Sequence, residues 1–246
     1  MTDSPKHLAT LAGVSAIVGN YGSGKTEISI NLALYLKGLG LKVSIADLDL
    51  VNPYFRTREA RMALYSAGID ALLPPEKFMD ADLPIVTPQV LGKLRAELAP
   101  DEAVILDIGG DPVGATVLAS LAEALAQVKL LRTIQIVNPY RPYTADVAGC
   151  LDMRAKIEKA SKLKVTHWAV NAHLLHETLP QHIIQGYELG LELEQATGLP
   201  LLFMAVTEQI QPLLNPTDFK CPLLVISRQL GLPWENKTAI AKDTQN

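Results

Sequence analysis

Residues Gly19–Thr26 read GNYGSGKT, a full match to the pattern G-x-x-x-x-G-K-[ST]. Glycines at 19, 22 and 24 let a backbone fold around an anion and turn its N–H groups inward. Lys25 is placed to reach the β- and γ-phosphates of a bound nucleotide, and the Thr26 hydroxyl to hold Mg²⁺. The expected nucleotide contacts are thus Gly19, Asn20, Tyr21, Gly22, Ser23, Gly24, Lys25, Thr26 and, one residue on, Glu27. A glycine turn that merely precedes a helix is the alternative. It is disfavoured because the flanks agree: Val14–Val18 is an apolar strand-like run and Glu27–Leu36 has helical spacing. The helix start adds its positive dipole end to the anion site.

Two acidic runs complete the chemistry. Val104-Ile-Leu-Asp107-Ile-Gly-Gly110 is an apolar strand ending in an acid and two glycines. Asp107 is expected to hold the magnesium shell opposite Thr26, and Gly109 and Gly110 to bring backbone N–H groups to the γ-phosphate. Ile45-Ala-Asp47-Leu-Asp49 places two acids at the end of another strand. Asp47 suits the magnesium shell and Asp49 suits orienting the attacking water, with Lys25 as the other catalytic group. Solvated loop acids are the competing reading. Arg56, Arg58 and Arg61 follow; surface ion pairs on a helix are favoured for them over phosphate contacts.

These groups need a frame that brings them to one rim. Strand-like runs at 42–46, 103–107, 133–137, 166–170, 201–206 and 223–226 alternate with helical stretches near 56–67, 88–98, 113–127, 144–162 and 180–197. That alternation predicts an α/β fold of three layers, a mostly parallel sheet with helices on both faces. Ligands then bind at the carboxyl ends of the strands. Asp47, Asp107, Asn138 and Asn171 all stand at such ends. The whole of 1–246 reads as one domain, with 1–12 and 236–246 expected to be loose. The proline-broken stretch 73–88 reads as a packed surface loop.

The P-loop, the D-x-D run of Asp47–Asp49 and the D-x-G-G run of Asp107–Gly110 together resemble the SIMIBI class of P-loop NTPases, and within it the MinD/ParA/Mrp branch. The likeness covers roughly residues 14–210 in element order and is specific at the three motifs. It implies seven or eight strands, ATP hydrolysis and face-to-face dimers. It also implies that Asp49 activates water, that Asp47 stands beside Mg²⁺, and that Asn171 recognises the base. The branch's P-loop carries a signature lysine after its first glycine, which crosses to the partner's phosphates. Asn20 stands there instead. In this the loop looks more like those of signal-recognition-type and nickel-insertion GTPases.

The base can be argued chemically. A guanine site usually pairs an N-K-x-D run with the base. Asn171-Ala-His-Leu lacks both the lysine and the aspartate. A carboxamide still serves adenine's N6/N7 edge, so ATP is favoured over GTP. A turn residue is the plainer reading of Asn171.

Composition sets the remaining limits. Of 246 residues 48% are hydrophobic and 20% charged, a globular balance. The net charge of −4 argues against non-specific nucleic-acid binding. No apolar run is long enough for a membrane span, and Met1–His7 shows no signal-peptide pattern. Cys150 and Cys221 form no C-x-x-C, so no iron–sulfur cluster is expected and a cytoplasmic setting is. His167, His173, His176 and His182 have irregular spacing and read as surface or capping residues rather than metal ligands. The polar end from Leu232 lacks a membrane-targeting helix. The expected partners are a nucleotide and either another protein or a second copy. A phosphotransferase or ligase acting on a small carboxylate, like dethiobiotin and cobyrinate-diamide synthetases, is the rival reading.

Overall fold

The computed structural model describes residues 8, 11–49, 60–72, 88–110 and 112–230, with backbone alone for 112–116. Arg56, Arg58, positions 73–87 of the proline-rich run and the polar end from Leu232 lie outside the described residues.

The strands are β1 (Gly13–Gly19), β2 (Lys42–Leu48), β3 (Asp70–Leu72), β4 (Glu102–Ile108), β5 (Leu131–Val137), β6 (His167–Val170), β7 (Leu201–Thr207) and β8 (Leu223–Ile226). They form one sheet in the order β3-β2-β4-β1-β5-β6-β7-β8, and every pairing is parallel. The helices are α1 (Lys25–Gly38), α2 (Arg61–Ser66), α3 (Pro88–Arg95), α4 (Pro112–Ala126), α5 (Val147–Ser161) and α6 (Pro180–Thr197). No described helix is long and apolar enough to cross a membrane.

The central strands are apolar on both faces because helices cover both. Every residue of β1 is buried. The period-two rule sorts its side chains. Ile17 joins Ile45, Ile105 and Ile134 in the layer under α1, where Ile28, Leu32 and Leu36 also pack. Val14, Ala16 and Val18 join Val104, Leu106 and Ile108 in the opposite layer, under Val90 and Leu94 of α3 and Leu118 and Leu121 of α4. A third cluster packs α6 on β6 and β7 through Ile183, Tyr187, Leu193, Trp168 and Met204. Leu8 and Leu11 fall in the stretch expected to be loose, yet both are buried in the α1 layer.

Two differences from the sequence expectation have local causes. The helix expected over 144–162 starts at Val147. Tyr143 has a left-handed backbone, φ 69°, and the Thr144 hydroxyl donates to Asn138 O at 2.8 Å. The chain is therefore held as a loop until Asp146, whose side chain caps the helix by accepting the Gly149 N–H at 2.8 Å. The other is β3, a three-residue edge strand paired to β2 alone, too short to show any alternation.

Candidate functional site

β1 delivers Gly19 to the carboxyl edge, and the loop closes into α1. Gly24 sits at the N-cap with φ 87°, and its carbonyl accepts the Ile28 N–H at 2.9 Å, the first helical bond. A side chain at Gly24 would run into Asn171 Nδ2. Only glycine fits there on both counts. Lys25 and Thr26, in the first turn, are buried. Lys25 Nζ lies across the loop mouth and donates to Asn20 O at 3.0 Å. A Cβ on Gly110 would stand 2.6 Å from that Nζ and 2.8 Å from Tyr21 N. The glycine after β4 therefore closes on the P-loop at its lysine.

Asp47 and Asp107 are register partners on neighbouring strands. Both are buried, as is Asp49. The Asp47 carboxylate accepts the Asp49 N–H at 3.1 Å, which fixes the bend that follows β2. Asp107 accepts the Ser29 hydroxyl of α1 at 3.1 Å, which ties the β4 acid to the P-loop helix. Two buried carboxylates abreast, one of them tied to α1 through Ser29, are an oxygen donor set of the kind Mg²⁺ takes together with phosphate and water. Among the described residues no three His, Cys, Asp or Glu side chains converge as a complete metal cage. Magnesium held through one or two carboxylates does not need one.

Asn171, at the end of β6, donates from Nδ2 to Ser23 O at 2.8 Å. It is not a plain turn residue: it grips the P-loop from the strand edge. The Glu27 carboxylate is bound by backbone distant in the chain. It accepts N–H groups from Gln229 at 2.6 Å and Leu230 at 3.4 Å. Asn31, one turn on, both donates to Ser227 O and accepts from Ser227 N at 2.9 Å. Burial raises the Glu27 pKa, partly offset by these N–H donors. Arg61 opens α2.

Sequence reasoning missed the loop after β5. Asn20 Nδ2 donates to Pro142 O at 2.8 Å, and Arg141 Nε returns a bond to Gly22 O at 3.0 Å. The side chain at the signature-lysine position is thus spent on a clasp within the chain. Asn138 is fully buried; it accepts Tyr140 N at 3.0 Å and donates to His173 O at 3.1 Å. The one available signal was Asn138 at a strand end, and nothing in the spacing pointed to Arg141.

The histidines do separate jobs. His182 Nδ1 accepts Leu179 N at 3.0 Å and caps α6. His173 Nδ1 accepts Leu175 N at 3.1 Å. Burial and the nearby Arg141 charge push the His173 pKa down to about 4. A histidine depressed on folding adds stability that is present above its unfolded pKa of about 6.5 and is lost as pH falls through the folded value. The melting temperature should therefore fall between about pH 6.5 and 4, and His173→Gln should flatten part of that slope. Calorimetric melts of both proteins across this range check it. Burial also pushes both free thiols, Cys150 and Cys221, up to about 12, so neither is a ready nucleophile.

A cavity of about 290 Å³ opens beside the P-loop on the β4 side. Gly19, Asn20, Gly109 and Gly110 form one wall, and Tyr143, Met153, Lys156 and Ile157 form the other.

No family model matches the chain, and no curated protein does. Solved structures do. The signal recognition particle receptor FtsY from Elizabethkingia anophelis, in complex with GDP, superposes with a TM-score of 0.55 at 18% identity, over 79% of this chain and 57% of that one. The cell division protein FtsY from Thermotoga maritima gives 0.52 at 19% identity, over 79% and 62%. The 54 kDa signal recognition particle protein from Aeropyrum pernix, in complex with GDP, gives 0.52 at 17%, over 79% and 41%. This chain spans less than two thirds of the length of each. At these identities the likeness is one of fold: the chain shares the three-layer, parallel-sheet fold of these three proteins.

Proposed function

We propose that this chain is a Mg²⁺-dependent nucleoside-triphosphate switch that hydrolyses its nucleotide slowly and acts on a protein partner in the cytoplasm. The observation that carries this reading is the convergence of Lys25, Gly110 and the Asp47–Asp107 pair at one carboxyl edge. The P-loop backbone would cradle the phosphates, with Lys25 on the β- and γ-oxygens. Thr26, Asp47 and Asp107 would hold Mg²⁺, which supplies charge neutralisation at the transferred phosphoryl group. Asp49 would orient the attacking water and Asn171 would meet the base. Among SIMIBI proteins the D-x-D run favours the MinD/ParA-like type. Asn20, engaged with Pro142, leaves no lysine to cross a dimer.

ATP is the favoured nucleotide, because the run from Asn171 to Leu174 offers no carboxylate to guanine. The GDP-bound structures of the same fold weigh towards GTP. Competition of ATP and GTP against a fluorescent analogue decides this. ATP should displace it at the lower concentration; GTP binding tenfold tighter would show that the base is read elsewhere.

The cavity supports a second reading. Its wall includes Gly110, next to Lys25 Nζ, where a small acceptor would face the γ-phosphate. Phosphoryl transfer to a small carboxylate would use that space. ATP turnover that rises only with an added carboxylate, giving a phosphorylated or ligated product, would establish it.

A further inference from the structure

The strand order sets out the loop ends in a line. Gly110 follows β4, the P-loop follows β1, Arg141 follows β5, and Asn171 and His173 follow β6, in the spatial order β4-β1-β5-β6. Lys25 Nζ and Gly110 mark the terminal-phosphate end of this line. A nucleotide laid along it carries its nucleoside over the ends of β5 and β6. There two consecutive P-loop carbonyls are held from two different loops: Gly22 O by Arg141 Nε at 3.0 Å and Ser23 O by Asn171 Nδ2 at 2.8 Å. Arg141 is partly exposed. Among the described residues its terminal nitrogens have no hydrogen-bond partner beyond that Nε contact, so four N–H groups remain to be offered. His173 Nδ1 accepts the Leu175 N–H. The neutral ring therefore carries its proton on Nε2, which lies 3.8 Å from where a Cβ on Gly24 would stand. Asn138 fixes both donors from behind. Its carbonyl accepts Arg141 N at 3.1 Å and its Nδ2 donates to His173 O at 3.1 Å.

We propose that Arg141 and His173 bind the nucleoside half of the triphosphate. Arg141 sets its flat cation against the ribose and base, and His173 gives its Nε2–H to the same group. This rests on the P-loop reading above. The loop after β5 then does for this chain what an N-K-x-D lysine position cannot, since Ala172 follows Asn171. A planar guanidinium both hydrogen-bonds and stacks on a ring, and a lysine does not replace it in both roles.

The test compares Mg-ATP with Mg-tripolyphosphate, which has the phosphates and no nucleoside. Both are titrated calorimetrically into the full chain and into Arg141→Ala, Arg141→Lys, His173→Leu and His173→Gln, with melts to confirm folding. Wild type should bind both ligands. Arg141→Ala and His173→Leu should each lose about tenfold in ATP affinity, the scale of one good hydrogen bond, and keep tripolyphosphate within about twofold. His173→Gln, which retains a donor near Nε2, should recover most of the loss, and Arg141→Lys only part. Parallel weakening of both ligands would mean that the two residues only brace the P-loop, and the proposal would be overturned. Unchanged ATP affinity would overturn it as well. A wild type that binds neither ligand would overturn the P-loop reading itself, a distinct outcome. If His173→Leu fails to fold, the Arg141→Ala pair of titrations decides.

Discussion

Lys25→Ala should abolish measurable triphosphate binding, with a loss of at least roughly tenfold, and leave the fold in place. Lys25 is 6% exposed, with its ammonium between Asn20 O and the backbone of Gly110. One charge-assisted hydrogen bond is worth about 1.5–3 kcal/mol, and about 1.4 kcal/mol is tenfold in affinity. The lysine would supply more than one such bond to the β- and γ-oxygens, so tenfold is the lower bound. Its stem contributes little to the core, which α1 builds from Ile28, Leu32 and Leu36. Titration calorimetry beside a thermal melt makes the check. Unchanged ATP and GTP affinity in a folded variant would remove the P-loop assignment.

The acidic residues should separate into two phenotypes. Asp49→Ala is expected to bind Mg-nucleotide nearly as wild type and to hydrolyse it far more slowly. Asp107→Asn is expected to weaken binding only when Mg²⁺ is present. The amide is the better substitution at 107 because Ser29 Oγ donates to that side chain inside the protein, and alanine would leave the hydroxyl unmatched. Wild-type turnover without a partner should lie on the order of 10⁻⁴–10⁻² s⁻¹, the range of unassisted P-loop switches. The reason is that Asn20 brings no positive charge to the transition state. Single-turnover assays measure all three proteins. A basal rate above about 1 s⁻¹ would contradict the switch, because that range belongs to fully assembled phosphoryl-transfer sites.

Much of this molecule was legible as sequence because its strongest signals are local. The P-loop is eight consecutive residues, and the strands that carry Asp47, Asp107 and Asn171 are apolar runs that end in the polar residue itself. Helix α6 matches its expected bounds because Pro180 and Gly198 punctuate it. What escaped depends on contacts distant in the chain. β3 exists because Ser44–Ala46 of β2 offers it an edge. The Arg141–Gly22 and Asn20–Pro142 clasp joins positions about 120 residues apart, and no periodicity records it. Glu27 looked like part of the phosphate run by position alone. Its carboxylate instead serves the backbone at Gln229 and Leu230.

That last contact bears on how the protein is made. The Glu27 bonds join residues 202 and 203 positions apart, and the Asn31 bonds residues 196 apart. Contacts of such separation form late, because the loop-closure entropy must be met before they contribute. A chain emerging from the ribosome presents its phosphate loop early and cannot fasten the first turn of α1 until Ser227–Leu230 has cleared the exit tunnel. During that interval β1, β2 and β4 can already pair around the motif, while the helix that carries Lys25 and Thr26 still lacks its far anchor. Truncation before residue 227 would leave the complete motif on an unfinished scaffold, and synthesis of the residues just after β8 becomes the step that completes the frame of the candidate site.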